Sequence, residues 1–142
     1  MSVVSGQMTY APVIADMHAA CFEAPWTVSE IQTLLSLPTT QCWLTEQGFL
    51  MCSHVIDEME ILSIGVLPDC RRQGVALRLL QDMISYAHEN NIARVFLEVS
   101  AENKAAQNLY NRVGFQQTGC RKGYYRTANG SVDALCLTKV IK

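Results

Sequence analysis

The chain has 142 residues, of which 49% are hydrophobic and 17% are charged, and its formal net charge is −2. A chain of this length and balance is typical of one globular domain with a substantial core. The slightly acidic charge argues against nucleic acid as a partner, because phosphate backbones are bound by basic surfaces.

Targeting and membrane signals are weak in this sequence. The apolar runs are of strand length, and residues 1–6 have neither the basic region nor the apolar core of a signal peptide. We therefore expect a cytoplasmic protein with no membrane partner. The six cysteines form no Cys-x-x-Cys pair and have no close spacing to a histidine, which argues against a zinc site or a redox dithiol. Cys70 is a candidate reactive thiol, since two arginines and a helix start follow it.

Hydrophobic periodicity predicts ten helices and strands. In chain order these are helices over 13–22 and 28–37, strands over 41–46, 49–56 and 59–67, a helix over 73–89, a strand over 94–99, a helix over 104–113, and strands over 115–125 and 132–140. Thr27 and Glu30 fit a capping box, and Asn129-Gly130 suits a hairpin turn. We predict an α/β (α+β) fold in which a mixed, mostly antiparallel sheet carries helices on both faces, as a single domain over 1–142.

Residues 66–76 join an apolar strand to a helix through a loop that suits an anion. Arg71 and Arg72 supply positive charge, Gly74 and Ala76 leave the backbone accessible, and the first turn of the helix exposes unpaired N–H groups. A Walker loop is excluded because no Gly-Lys-Ser/Thr follows, and a dinucleotide fingerprint because two of its three glycines are missing. The loop alone leaves two interpretations, a pyrophosphate site and a solvated corner.

Glu98 is the first candidate for chemistry. Strand alternation places Val95, Leu97 and Val99 on one face, and Phe96 and Glu98 on the other. A carboxylate that faces a semi-apolar cleft can serve as a general base, whereas one that faces solvent beside an arginine has no such role.

Three further positions have a structural and a functional interpretation. Tyr110 lies on the apolar face of its helix, where it is either a core residue or a general acid. Asn103 precedes that helix and is first a candidate N-cap. Gly65 interrupts the central strand and predicts a bulge or a close approach by a ligand, which would leave N–H donors free to polarise an acyl carbonyl.

The order of these pieces resembles the GCN5-related N-acetyltransferase (GNAT) superfamily. Its acetyl-CoA signature, Arg/Gln-x-x-Gly-x-Gly/Ala, matches residues 71–76, and its later segment matches residues 103–115. Within the superfamily, the bacterial ribosomal-protein-alanine N-acetyltransferases (the RimI group) are similar in three places. These are Ala24-Pro25-Trp26, the Leu97-Glu98-Val99 strand with Asn103 five residues beyond the Glu, and residues 123–134.

The resemblance implies an enzyme that transfers acetyl directly from acetyl-CoA, without a metal, to the N-terminal alanine of a small-subunit ribosomal protein. Glu98 would be the general base and Tyr110 the general acid. The cofactor-binding positions would be Ile64, Gly65, Val66, Arg71, Arg72, Gln73, Gly74, Val75, Ala76, Leu77 and Asn103. Trp26 and Tyr125 would contact the peptide.

Two departures and two alternatives accompany the resemblance. A first strand is poorly marked over 3–10, and Leu77 stands where relatives often have a polar or basic residue.

An N-terminal amine has a pKa of about 8, against about 10.4 for lysine, so one glutamate deprotonates it more readily. Acetylation of a protein lysine or a small amine is the first alternative. A non-catalytic acyl-CoA-binding module is the second, but it would need neither Glu98 nor Tyr110.

Overall fold

Seven strands form one sheet in a computed structural model that describes residues 2–3 and 8–142. The strands are β1 (Ser2–Val3), β2 (Thr40–Leu44), β3 (Gly48–Val55), β4 (Glu58–Val66), β5 (Arg94–Ser100), β6 (Gln116–Thr127) and β7 (Gly130–Val140). The helices are α1 (Ala11–Cys21), α2 (Val28–Ser36), α3 (Val75–Glu89) and α4 (Lys104–Arg112). Of the poorly marked segment 3–10, residues 4–7 lie outside the described residues, and Met8–Tyr10 forms a 3₁₀ turn.

The strand order is β1-β2-β3-β4-β5-β7-β6, and every neighbouring pair is antiparallel except β4 with β5. This confirms the predicted mixed, mostly antiparallel sheet. The parallel pair is short, because only Glu58, Met59 and Glu60 pair with β5. The rest of β4 is therefore unpaired on that edge.

Two apolar clusters hold the helices against opposite faces of the sheet, as predicted. Along β3, Leu50 and Cys52 belong to the cluster that includes α3 and α4, whereas Phe49 and Met51 belong to the cluster that includes α1 and α2. The alternation of these four residues along one strand is the period of two that a sheet buried on both faces requires.

Helix starts are set by local chemistry. The capping box of α2 is confirmed: Thr27 Oγ1 accepts from the Glu30 N–H at 3.1 Å, and Glu30 Oε1 accepts from the Thr27 N–H at 3.0 Å. The predicted start of the third helix at Gln73 is two residues early. Gly74 precedes α3 with a φ of 79°, in the left-handed region, and the helix begins at Val75.

The prediction of a bulge at Gly65 is wrong. Gly65 pairs in register with Phe49, and the irregularity lies earlier, where Leu62 is the extra residue between Ile61 and Ser63. A Cβ atom on Gly65 would lie 2.7 Å from a Phe49 ring carbon and 3.0 Å from Cys21 Sγ. The glycine is therefore required by the packing of the Phe49 ring against β4.

No helix in the described part of the chain is long and apolar enough to cross a membrane. The six cysteines are free thiols. Within residues 2–3 and 8–142, no group of three or more His, Cys, Asp or Glu side chains is placed to hold a metal ion.

Candidate active site

A cavity of about 630 Å³ opens beside the unpaired half of β4. Its walls come from β4, from the loop and first turn of α3, from the apolar side of α4, and from the end of α1. All of the predicted cofactor-binding residues line it except Gln73. The sequence motifs at 71–76 and 103–115 therefore meet around one space.

The loop before α3 is shaped by two left-handed residues. Arg72 has a φ of 63° and Gly74 a φ of 79°, and nothing lies within 4 Å of the position that a Cβ on Gly74 would take. Within the described residues no side chain caps the start of α3, and its first intrahelical bond runs from the Arg78 N–H to the Gly74 carbonyl. The N–H groups of the first turn are therefore available to an anion beside two arginines.

The open edge of β4 supplies backbone groups to the same cavity. Ile64, Gly65 and Val66 line it and have no partner on β5. The Val66 carbonyl is already engaged, since it accepts from Arg71 Nε at 3.1 Å and from the Cys21 thiol at 3.3 Å. An extended ligand that carries amides at one end and phosphates at the other fits this edge and the uncapped start of α3.

Tyr110 stands at the wall of the cavity and is 5% exposed. Its ring packs edge-on against Phe115, with centroids 5.7 Å apart. Among the described residues its hydroxyl has no hydrogen-bond partner. Burial raises the pKa of this hydroxyl to about 12, so Tyr110 is protonated at neutral pH and can donate a hydrogen bond.

Asn103 is confirmed as the N-cap of α4, because its Oδ1 accepts from the Ala106 N–H at 3.1 Å. It lines the cavity as well, and so do Ala105 and Ala106. The two alanines leave room at the start of the helix. The Asn103 amide nitrogen makes no hydrogen bond to any of the described residues and can donate to a ligand.

Glu98 lies on the face of β5 opposite Val95, Leu97 and Val99, and is not part of the cavity wall. Its Oε1 is 3.4 Å from Arg121 Nε. Its Oε2 is buried and has no hydrogen-bond partner among the described residues. Buried carboxylate oxygens normally accept hydrogen bonds, so this one marks a place for a donor.

Several polar side chains are coupled electrostatically to Glu98. Burial, and then the charge of Glu98, raises the pKa of the Tyr125 hydroxyl. The same two causes raise the pKa of the Glu60 carboxyl, and Arg121 opposes that shift. Tyr125 contributes in turn to the raised pKa of Tyr110. Tyr125 is therefore within electrostatic range of Glu98 on one side and of Tyr110 on the other.

Trp26 does not line the cavity. Its backbone N–H donates to His18 Nδ1 at 3.1 Å, and its ring is stacked on the His18 ring. Simple packing at the corner between α1 and α2 accounts for these contacts. A contact with substrate remains a prediction for Trp26 and for Tyr125.

Sequence reasoning missed five residues of this region. Cys21 and Phe22 line the cavity from the end of α1, Leu109 and Arg112 line it from α4, and Arg121 pairs with Glu98 from β6. The only sequence signal for the first two was their position next to the Ala24-Pro25-Trp26 corner. Arg121 lies in a run of polar residues that gives no indication of where its side chain points.

Comparison with known proteins agrees with this geometry. Residues 11–115 match the model of the acetyltransferase (GNAT) family. The ribosomal protein bS18-alanine N-acetyltransferase of Escherichia coli strain K12 is 29% identical over 140 residues, which cover 96% of this chain and 95% of that protein. The protein of the same name from Haemophilus ducreyi is 31% identical over 120 residues, covering 82% and 83%.

A crystal structure of the ribosomal-protein-S18-alanine N-acetyltransferase from Escherichia coli superposes on this fold with a TM-score of 0.90. It is 27% identical in sequence, over 99% of this chain and 94% of that one. The fold, the cavity and the two motifs define an N-acetyltransferase. The chain belongs to the GNAT family, whose members transfer the acetyl group of acetyl-CoA.

Proposed function

We propose that this N-acetyltransferase modifies a protein N-terminus, and that its target is the N-terminal alanine of a small-subunit ribosomal protein. The names of the relatives at about 30% identity support this target class. The observation that supports the proposal is the cavity beside residues 64–66 of β4, which has Tyr110 in its wall. On β5, which pairs with β4, Glu98 has a buried oxygen with no partner among the described residues. Tyr125 is within electrostatic range of each of these two groups.

Acetyl-CoA is the proposed cosubstrate. The uncapped first turn of α3, with Arg71 and Arg72, would bind the pyrophosphate. The free β4 edge at 64–66 would pair with the amides of the pantetheine arm and orient the acetyl carbonyl, and Asn103 would contact the arm from α4. Residues 1–142 would form one acetyltransferase domain that works in the cytoplasm, where ribosomal proteins are made.

Glu98 would take the proton from the substrate amine, through Oε2 or a water molecule bound to it. The nitrogen lone pair then forms the bond to the acetyl carbon as the carbon–sulfur bond breaks, so that no acyl-enzyme is formed. Tyr110 would donate to the departing sulfur. A free thiol has a pKa of about 8.5, well below that of Tyr110. Burial of the thiolate raises its pKa toward that of the Tyr110 hydroxyl, and the proton transfer needs this rise.

Two peptides test the choice of amine. One has a free N-terminal alanine and no lysine, and the other has a blocked N-terminus and internal lysines. Each is incubated with the protein and acetyl-CoA, and the products are identified by mass spectrometry. We expect acetylation of the first alone. Acetylation of the second alone, or of neither, would overturn the N-terminal assignment and leave the lysine, small-amine and binding-module alternatives.

A further inference from the structure

The hairpin of β6 and β7 contains a large β-bulge directly after Arg121, the residue that pairs with Glu98. Arg121 pairs with Ala134 and Tyr125 pairs with Val132, so three residues of β6 lie opposite the single residue Asp133 of β7. Bulges of this kind redirect side chains and are often found next to active sites. Arg121 is the last paired residue of β6 before this bulge.

Asp133 fixes the shape of the bulge. Its Oδ1 accepts from the Gly123 N–H at 2.8 Å, and its Oδ2 is 3.3 Å from Lys122 Nζ. Gly123 has a φ of 61°, a conformation that glycine adopts without strain. The first contact satisfies a backbone N–H that lies outside the ladder, and the second ties a side chain of the bulge to Asp133.

Arg121 is held at the edge of this bulge. Its guanidinium lies over the Tyr124 ring, 5.1 Å from the centroid, and its Nε is 3.4 Å from Glu98 Oε1. The Arg121 side chain is 57% exposed, against 23% for Glu98. Such an exposed pair contributes little to folding stability, so stability does not explain why the arginine is oriented this way.

The pairing distinguishes the two oxygens of Glu98. Oε1 is engaged by Arg121, whereas Oε2 is buried and has no partner among the described residues. Building on the proposed function, we propose that Arg121 is a positioning residue for Glu98. It holds Oε1 and so directs Oε2 toward the substrate amine, and Asp133 supports it by fixing the bulge.

The proton balance follows from this geometry. A proton of the substrate amine passes to Oε2, directly or through one water molecule, and the nitrogen uses its electron pair to form the bond to the acetyl carbon. The carbon–sulfur bond breaks, and the CoA thiolate accepts a proton from Tyr110. Oε1 remains paired with Arg121 throughout. A carboxylate free to rotate would present either oxygen at changing angles, and small misplacements of a catalytic group are costly.

The test compares Arg121→Met with Arg121→Lys, Arg126→Met and Glu98→Gln. Arg126 is the matched control, because it is an exposed arginine of the same strand for which no ion pair is found in the described residues. For each variant we would measure kcat and KM on the alanyl peptide, acetyl-CoA affinity by calorimetry, and the thermal midpoint. Arg121 does not line the cavity, so acetyl-CoA affinity is expected to be unchanged.

We expect Arg121→Met to lower kcat by roughly 10- to 100-fold with a much smaller change in KM. Arg121→Lys keeps the charge but not the planar fork, so it is expected to restore part of that loss. Arg126→Met should match the wild type. A Met variant with wild-type kcat, alongside an inactive Glu98→Gln variant, would refute the role of Arg121 and leave the proposed function standing.

A double variant separates positioning from direct action. If Arg121 acts through Glu98, adding Arg121→Met to Glu98→Gln causes no further loss. Losses that multiply would show that Arg121 acts independently of Glu98 and would overturn the inference. If Glu98→Gln itself keeps full turnover, the general base of the proposed function is wrong, and the positioning role falls with it. If the Met variant does not fold, Arg121→Lys takes its place in this double-mutant comparison with Glu98→Gln.

Discussion

The ring of His18 is stacked on the ring of Trp26, with centroids 4.7 Å apart and an angle of 16° between the planes. His18 Nδ1 also accepts from the Trp26 backbone N–H, so that nitrogen carries no proton. The histidine is 3% exposed and ties α1 to the corner before α2. The corner therefore depends on a neutral imidazole.

This dependence predicts a loss of stability in mild acid. Burial lowers the pKa of His18 below 6.5, and Glu30 opposes the shift only in part. The unfolded chain therefore takes up its proton first, so the contribution of His18 to the free energy of unfolding is complete above pH 6.5 and falls as the pH drops toward the lowered pKa. One such proton contributes a slope of at most about 1.4 kcal/mol per pH unit, measurable by urea unfolding between neutral pH and pH 5.

His18→Asn is the control for this slope. Asparagine offers an acceptor near the position of Nδ1 but does not titrate in this range. The slope of stability against pH is expected to be shallower in the variant, whatever its absolute stability. Equal slopes in the two proteins would assign the acid sensitivity to other groups.

A matched pair at Gly74 tests where the pyrophosphate binds. Asparagine and aspartate have the same size, asparagine is tolerated at positive φ, and the protein leaves open space around a Cβ there. The aspartate adds a negative charge at the start of α3, which suits a helix but repels a bound anion. We expect Gly74→Asp to weaken acetyl-CoA binding by about tenfold or more relative to Gly74→Asn, with similar thermal midpoints. Equal affinities by calorimetry would place the pyrophosphate elsewhere.

Glu98→Gln is expected to reduce turnover by roughly 100-fold or more, because the amide cannot accept the proton as a carboxylate does. Acetyl-CoA affinity should not change, since Glu98 is outside the cavity wall. Glu60→Gln is the matched control, a neighbouring carboxyl on β4 within electrostatic range of Glu98. Steady-state kinetics would contradict the assignment if the Glu60 variant lost more activity than the Glu98 variant.

Tyr110→Phe and Tyr86→Phe are expected to have opposite effects. The Tyr110 hydroxyl has no partner in the described structure, so its removal should lower kcat by roughly 10- to 100-fold with little effect on stability. Tyr86 shares a 2.8 Å hydrogen bond with His54 Nδ1 on the face of α3, outside the cavity. Its variant should lose about 1 kcal/mol of stability and keep its activity. Thermal melts and initial rates would be measured for both variants. A Tyr110→Phe enzyme with wild-type activity would show that Tyr110 is not the general acid.

Most of the fold could be predicted because its signals are local. The capping box of Thr27 and Glu30 lies within four residues, and β3 and β4 are apolar or alternating over most of their length. The role of Gly65 could not be predicted in this way. It depends on Phe49 and Cys21, which come from two other elements and meet the glycine only in the folded sheet.

The site residues likewise divide into those with a local sequence signal and those without one. Motifs supplied the residues of the α3 loop, because the loop, the glycine and the arginines are contiguous in sequence. Arg121 was missed because its partner Glu98 lies on β5, on the far side of β7, and no local pattern in β6 indicates that contact. The final hairpin also turns one residue earlier than predicted, at Ala128 and Asn129, since Gly130 already pairs with Thr127.

The short seam between β4 and β5 has a mechanical consequence. Three residue pairs join these strands, whereas eight join β3 to β4 and seven join β5 to β7. The sheet therefore consists of two panels, β1–β4 and β5–β7. Helix α3 packs against both, because the apolar cluster that includes α3 contains residues of each panel. Local opening that separates the panels breaks fewer backbone hydrogen bonds than parting either panel internally. A ligand bound along the free edge of β4 would make this local opening rarer as well as occupy the site.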